Sequence, residues 1–145
     1  MKSNQFMARQ HATIALGGLF VFFDQFFKYL SRMNSGFHWY IWEPYLGWEY
    51  FKNIGIAFSL PISRWIPLFL TPFIGVILIR AIKKTKNKNT AAGLYCIFFG
   101  ALSNYIDRIF FGGTIDYIRI FTSVINLADL LIVFGIVILF TKKIT

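Results

Sequence analysis

Residues 100–129 read GALSNYIDRIFFGGTIDYIRIFTSVINLAD, and the rest of the chain is understood outward from them. The stretch places Asp107, Asp116 and Asp129 in or beside two strongly apolar segments, with Asn104, Arg108 and Asn126 close by. A carboxylate at the centre of a membrane helix costs roughly 3 kcal/mol on insertion scales, so a membrane chain that keeps several has a use for them. On a helix, Gly100, Asn104, Asp107 and Phe111 share one face, and Arg108 lies four beyond Asn104. An otherwise apolar helix turns such a face inward.

The whole chain supports a membrane setting. It has 145 residues, 57% hydrophobic and only 14% charged, which excludes disorder and an ordinary soluble surface. That length leaves room for one domain with a few spans. The net charge of +9 is not a nucleic-acid footprint, because the basic residues collect at segment ends and form no stripe with polar readout residues. Cys96 stands alone in an apolar run, so no disulfide framework is expected and the thiol reads as a small buried hydrophobe.

Four spans are expected, at about residues 12–31, 65–82, 91–111 and 124–141. The first follows a polar, basic start, but no small-residue cleavage pattern comes after it, so it reads as a retained span. Asp24 and Lys28 lie four apart near its far end, in the favourable acid-first order for a helical pair. In the second, Pro67 falls in the first turn and Pro72 is expected to kink the helix. The basic run RAIKKTKNKNT at 80–90 reads as a solvated loop. A short loop with Gly112 and Gly113 is expected to carry Asp116 and Arg119, and Asn126 and Asp129 open the last span on one face.

The connection at 32–64 is rich in Trp and Tyr, whose rings favour the headgroup level, and reads as a segment lying on the bilayer surface. Within it Ile54, Ile56, Phe58 and Leu60 alternate with Asn53, Gly55, Ala57 and Ser59, which predicts a strand. The expected fold is thus a single all-α integral membrane domain over residues 1–145, with four transmembrane helices, a small extracytoplasmic β element and a surface aromatic segment.

With both termini cytoplasmic, the inner side holds nine basic residues and no acid, while the outer side holds the other six basic residues and all six acids. The positive-inside rule fixes that orientation. It brings Asp24, Asn104 to Arg108, Asn126 and Asp129 to one depth near the outer face. A transporter or proton relay would instead spread its acids across the bilayer, and no inverted repeat is present. A non-catalytic binding subunit would keep the fold without the chemistry.

His11 and His38 lie apart, in bland positions, so neither a His-based nucleophile nor a transition-metal cluster is expected. Paired carboxylates remain. Two close carboxyls share a proton: the ionised one can activate water while the protonated one polarises a carbonyl. Residue chemistry leaves open which two of Asp24, Asp107, Asp116 and Asp129 form the pair. Asp24 beside Lys28 and Asp107 beside Arg108 have candidate counter-ions; Asp116 and Asp129 have none adjacent and are favoured.

Several blocks resemble the lipoprotein signal peptidases (signal peptidase II): DQFFK at 24–28, NIGIAFS at 53–59, SNYIDR at 103–108, TIDY at 114–117 and NLAD at 126–129, in order over nearly the whole length. The resemblance implies a bacterial inner-membrane aspartyl endopeptidase that removes the signal peptide of a prolipoprotein just before its lipid-modified cysteine. It implies catalytic Asp116 and Asp129, supported by Asp24, Lys28, Asn53, Asn104, Asp107, Arg108 and Asn126. It also implies no metal and no cofactor, a monomer, an active site near the outer face, and membrane lipids and the lipidated substrate as partners. Ser103 stands where the family usually has glycine, Ile125 where an aromatic residue is frequent, and the segment between Asp116 and Asn126 is short.

Overall fold

The structure is a computed structural model that describes residues 2–55 and 65–141, with side chains from residue 11 onward. Its elements are α1 (Lys2–Met33), β1 (His38–Trp42), β2 (Leu46–Asn53), α2 (Trp65–Lys84), α3 (Lys88–Phe111), β3 (Thr114–Ile120), β4 (Ser123–Ile125) and α4 (Leu127–Thr141). The strands form one antiparallel sheet in the order β1-β2-β3-β4.

The helices are inside-out relative to a soluble bundle. Phe69 and Phe110 are 70% and 73% exposed, whereas Ser31, Asp107 and Asn126 are fully buried. Polar groups turned inward beneath an apolar exterior are what a hydrocarbon surrounding demands. Two helical stretches, His11–Met33 and Trp65–Lys84, are long and apolar enough to cross a membrane; α4 is apolar but has 15 residues.

Helix α3 packs most closely on α4, and glycine permits it. A Cβ on Gly135 would meet the Gly93 carbonyl oxygen at 2.5 Å, and one on Gly93 would meet the Gly135 oxygen at 2.9 Å. Small residues let backbones approach in this way where no hydrophobic drive between helices exists. At its C-terminal end α3 stops at Gly112, which adopts φ 70° and donates its N–H to the Arg108 carbonyl. That left-handed cap reverses the chain into β3.

Several expectations shift. The basic run at 80–90 is helical at both ends, with only residues 85–87 between α2 and α3. Lys83 and Lys84 suit a helix C-terminus, and Asn87 caps α3 by accepting from the N–H groups of Asn89 and Thr90. Asp116 and Arg119 lie on a strand, not a loop. The fourth apolar segment splits, with residues 123–125 in β4 and the helix starting at Leu127. The aromatic connection folds as the β1–β2 hairpin, whose strand precedes the alternating run: Asn53 ends β2 and Ile54 is already outside it. Residues 56–60 of that alternation lie outside the described residues.

Candidate active site

Helix α1 brings the first charges inward. Asp24, Lys28 and Ser31 recur at helical spacing and are all buried, so the C-terminal half of α1 has a polar inner stripe. The Lys28 ammonium meets Asp24 Oδ2 at 2.6 Å and Asp107 Oδ2 at 2.8 Å, and donates to Asn104 Oδ1 at 2.8 Å. Three donors thereby meet three acceptors, the condition under which a buried charge is tolerable. The counter-ion of Asp107 is therefore Lys28 on another helix, not its neighbour Arg108. Arg108 forms no ion pair among the described residues, because adjacent positions on a helix point about 100° apart.

Asp24 also serves the start of α4. Its Oδ1 accepts from the Ala128 N–H at 3.2 Å and from the Tyr117 hydroxyl at 3.0 Å, and that hydroxyl in turn accepts from the Leu127 N–H at 3.1 Å. Asn126 accepts from the Asp129 N–H at 2.9 Å, and Asp129 Oδ2 accepts from the Asn126 N–H at 3.3 Å. This is a reciprocal capping box, so the free donors of the first turn are satisfied by buried side chains, and negative charge sits at the positive end of the helix.

Asp116 reaches the same place from β3. It lies opposite Phe51 in the β2–β3 register, and Asn53, two residues along β2, donates its Nδ2 to Asp116 Oδ2 at 3.3 Å. Asn126 stands between the two remaining acids. Its Nδ2 donates to Asp116 Oδ1 at 2.6 Å while its backbone N–H meets Asp129. Asn104 completes the ring, donating to Asp129 Oδ1 at 2.8 Å and accepting from Asn126 Nδ2 at 3.1 Å. Neither Asp116 nor Asp129 is in an ion pair among the described residues. Burial, and then the charge of Asp129, push the Asp116 carboxyl up to about 7.

All nine residues singled out in the sequence thus meet at the C-terminal ends of α1 and α3, the N-terminal end of α4 and the adjoining strands, eight through direct contacts. Arg108 contributes charge at longer range to Asp129, Asp107 and Asp116. It lines a cavity of about 230 Å³ together with Ile54, Trp65 and Gly113. Three further residues belong to the cluster. Gln25 donates to Asp107 Oδ1 and to Ser103, Ser103 donates to Asp24 Oδ2 at 2.7 Å, and Tyr117 is held under Trp48 and Phe27. Each sits inside a block quoted above, and that adjacency was the available signal.

The sheet carries a separate polar group. Glu49 accepts from Arg119 and, at 2.6 Å, from the Tyr40 hydroxyl. Burial pushes the Glu49 carboxyl up, but these two hydrogen bonds together with the charges of Arg119 and His38 hold it below its usual range.

The sequence pattern of the Signal peptidase (SPase) II family matches residues 16–145. The chain is 35% identical to the lipoprotein signal peptidase of Lactococcus lactis subsp. lactis over 129 residues, covering 84% of this chain and 86% of that one. Against the lipoprotein signal peptidase of Caldanaerobacter subterraneus it is 34% identical over 133 residues, covering 87% and 91%. Against that of Serratia marcescens it is 29% identical over 136 residues, covering 86% and 80%. In fold it is similar to a bacterial membrane enzyme solved by the in meso method, with a TM-score of 0.83 at 23% identity over 92% of this chain and 88% of that one. With the family pattern matched over nearly its full length, the chain belongs to the signal peptidase II family.

Proposed function

We propose that this chain is an intramembrane aspartyl endopeptidase that cleaves diacylglyceryl-modified prolipoproteins just before the lipidated cysteine. Family membership supports a peptidase acting on prolipoprotein signal peptides. The aspartyl assignment rests on one observation: of four clustered carboxylates, Asp24 and Asp107 are neutralised by Lys28, while Asp116 and Asp129 are held by amides alone around Asn126.

In this mechanism the two acids share one proton, placed on Asp116, while the Asp129 carboxylate is ionised at the positive end of α4. Asp129 takes a proton from a water molecule as its oxygen bonds to the carbonyl carbon before the cysteine. Asp116 gives its proton to the carbonyl oxygen, and a gem-diol forms. Asp129 then protonates the leaving nitrogen, the C–N bond breaks, and Asp116 recovers its proton from the diol. The products are a carboxylate-ended signal peptide and a lipidated N-terminal cysteine. Asn53 and Asn126 brace the acids, and Arg108, at the wall of its cavity, holds peptide carbonyls.

The same proposal places the chain in the bacterial inner membrane as one four-span, monomeric domain, with both termini cytoplasmic and the site near the outer face. The distribution of charge supports this orientation, and the apolar exterior of the helices supports the membrane setting. The diacylglyceryl chains lie in lipid between helices and the substrate enters laterally.

The deciding experiment is cleavage of a purified, diacylglyceryl-modified prolipoprotein in detergent with a chelator, by wild type, Asp116→Asn and Asp129→Asn. Cleavage by wild type alone is expected. A folded wild type that fails to cleave would make the chain a binding subunit, and full activity in either variant would remove that acid from the dyad.

A further inference from the structure

Asp116 comes from β3 and Asp129 from the first turn of α4, so a shared proton requires that strand and helix keep one spacing. Three successive residues of β3 make the join. The Ile115 carbonyl accepts from Asn126 Nδ2 at 3.3 Å, and Asp116 Oδ1 accepts from the same nitrogen at 2.6 Å. The Tyr117 hydroxyl, carried on the opposite face of the strand from Asp116, accepts from the Leu127 N–H at 3.1 Å.

The three leading N–H groups of α4 each meet a different side chain. Leu127 meets the Tyr117 hydroxyl, Ala128 meets Asp24 Oδ1 at 3.2 Å, and Asp129 meets Asn126 Oδ1 at 2.9 Å. Of these three acceptors only Tyr117 belongs to the sheet. Its own proton goes to Asp24 Oδ1 at 3.0 Å, which leaves a lone pair for the helix. Burial, and then the charge of Asp24, push the hydroxyl far above its ordinary range, so it stays a donor to Asp24 at every working pH. The ring is 1% exposed, with the Trp48 and Phe27 ring centres 4.9 and 5.8 Å from its own. The hydroxyl is therefore carried on a fixed arm.

We propose that Tyr117 is a positioning residue for the reaction: its hydroxyl, bonded to the Leu127 N–H, sets the spacing of Asp116 and Asp129 by locking β3 to the first turn of α4. This rests on the reading of those two acids as the reactive pair. Asn126 is insufficient for the task, because it directly precedes α4 and travels with it, and it holds β3 through a single amide nitrogen. Without the hydroxyl the Leu127 N–H is left unpaired, and the first turn of α4 draws back from the strand with Asp129 on it. Asp116 is faced by Asp129 from α4, Lys28 from α1 and Arg108 from α3, with the amides of Asn126 and Asn53 on its oxygens. Burial and the Asp129 charge are the two largest influences on its carboxyl and both raise it, so a retreat of α4 brings it down.

Tyr117→Phe keeps the ring and removes the hydroxyl. With full-length protein in detergent and a diacylglyceryl-modified prolipoprotein, kcat should fall roughly 10–100-fold with KM within about 3-fold of wild type, as for a small misplacement of reacting groups. The fall of kcat/KM, which runs through about pH 7 in wild type, should move to lower pH, and the infrared band of the Asp116 carboxylic acid should vanish at lower pH with it. Leu127→Pro removes the other half of the contact at the first position of α4, where proline's missing N–H and fixed φ suit a helix. It should reproduce these changes, and it carries the test alone if Tyr117→Phe does not fold. The double variant should be no worse than either single one, since both break one contact. Gly17→Ala crowds the Phe99 ring about two turns from Asp24 and measures lost stability alone; its kcat and pH readouts should match wild type. Folded Tyr117→Phe with changes no larger than those of Gly17→Ala, or additive effects of the two contact variants, would overturn the assignment. The infrared shift does not need cleavage. If it occurs while Asp116→Asn and Asp129→Asn still cleave, the spacing role of Tyr117 stands and the dyad falls.

Discussion

Asp24 and Asp107 share one ammonium, Lys28, at 2.6 and 2.8 Å, whereas Asp116 and Asp129 share only the amides of Asn104, Asn126 and Asn53. The two pairs are linked through Asn104, which accepts from Lys28 and donates to Asp129. Residue type is the same and all four acids belong to one cluster, so the partner is what sets the pairs apart. A carboxylate facing a buried cation has its charge cancelled and is fixed as structure. One facing neutral amides keeps its charge available and remains able to exchange a proton. On the proposed mechanism, a single lysine thus divides four acids into a frame and a reactive pair.

Exchanging an acid in each pair tests that division most directly. Asp129→Asn should lower kcat by roughly 10²–10⁴-fold, the usual worth of a general acid–base group, with the unfolding midpoint unchanged or raised because a buried charge is removed. Asp116→Asn should behave likewise. Asp24→Asn should act the other way round, losing stability first, since its oxygens hold Lys28, Tyr117, Ser103 and the Ala128 N–H together. If cleavage by Asp24→Asn fell as far as that by Asp129→Asn in protein of wild-type stability, the two pairs would not differ in kind.

Removing the cation comes next in size. Lys28→Met leaves two buried carboxylates unneutralised and should destabilise the protein by about 3–5 kcal/mol, measured by denaturant unfolding in detergent. Adding Asp107→Asn to the Lys28→Met protein should recover a good part of that loss, because it removes one of the unpaired charges. No recovery would mean that Lys28 acts through packing rather than charge.

The pH profile separates the pairs without substitution. The Asp116 carboxyl is raised to about 7, above its ordinary 3.8, so the folded protein favours its protonated form. Its contribution to stability is complete below about pH 3.8 and is lost as pH rises through about 7. Activity that needs the shared proton should follow the same limb, with kcat/KM falling as pH rises through about 7. Asp129 contributes to the shift, so in Asp129→Asn the infrared band of the Asp116 carboxylic acid should vanish at lower pH than in wild type. A band that did not move would separate the two acids electrostatically.

How much of this was legible in the sequence follows from the range of each contact. The Asp24–Lys28 pair is one helical turn apart, and the inward face of α3 carries Asn104 and Asp107 at helical spacing, so both could be read locally. The capping box of Asn126 and Asp129 is likewise a three-residue signal. The partner of Asp107 could not be read, because Lys28 lies on a different helix and its approach depends on how α1 and α3 pack. The sheet was misplaced for a related reason. In β3, residues Thr114 to Tyr117 are buried on both faces, so TIDY shows no alternation and reads as a loop after two glycines. Strand β2 is LGWEYFKN, whose aromatic and charged residues hide the period of two, while the cleaner alternation after Asn53 drew the strand downstream.

The smallest expected effect concerns the frame. Ser103 stands where the resemblance implied a glycine, and its hydroxyl donates to Asp24 Oδ2 at 2.7 Å while accepting from Gln25 Nε2 at 3.0 Å. It is therefore an added tie within the ion-paired half of the cluster, with no contact to Asp116 or Asp129. Asp24 retains Lys28, Tyr117 and the Ala128 N–H without it. Gln25 still reaches Asp107 and the Ser103 carbonyl. Ser103→Ala should then cost about 1 kcal/mol, the net worth of one buried hydrogen bond. Because the reactive pair is untouched, kcat should stay within about 3-fold of wild type, a barrier change of about 0.6 kcal/mol. Unfolding in detergent and the cleavage assay on the same preparation measure both. A loss of cleavage as large as that of Asp129→Asn, at wild-type stability, would mean that the frame tunes the reactive acids and is more than their support.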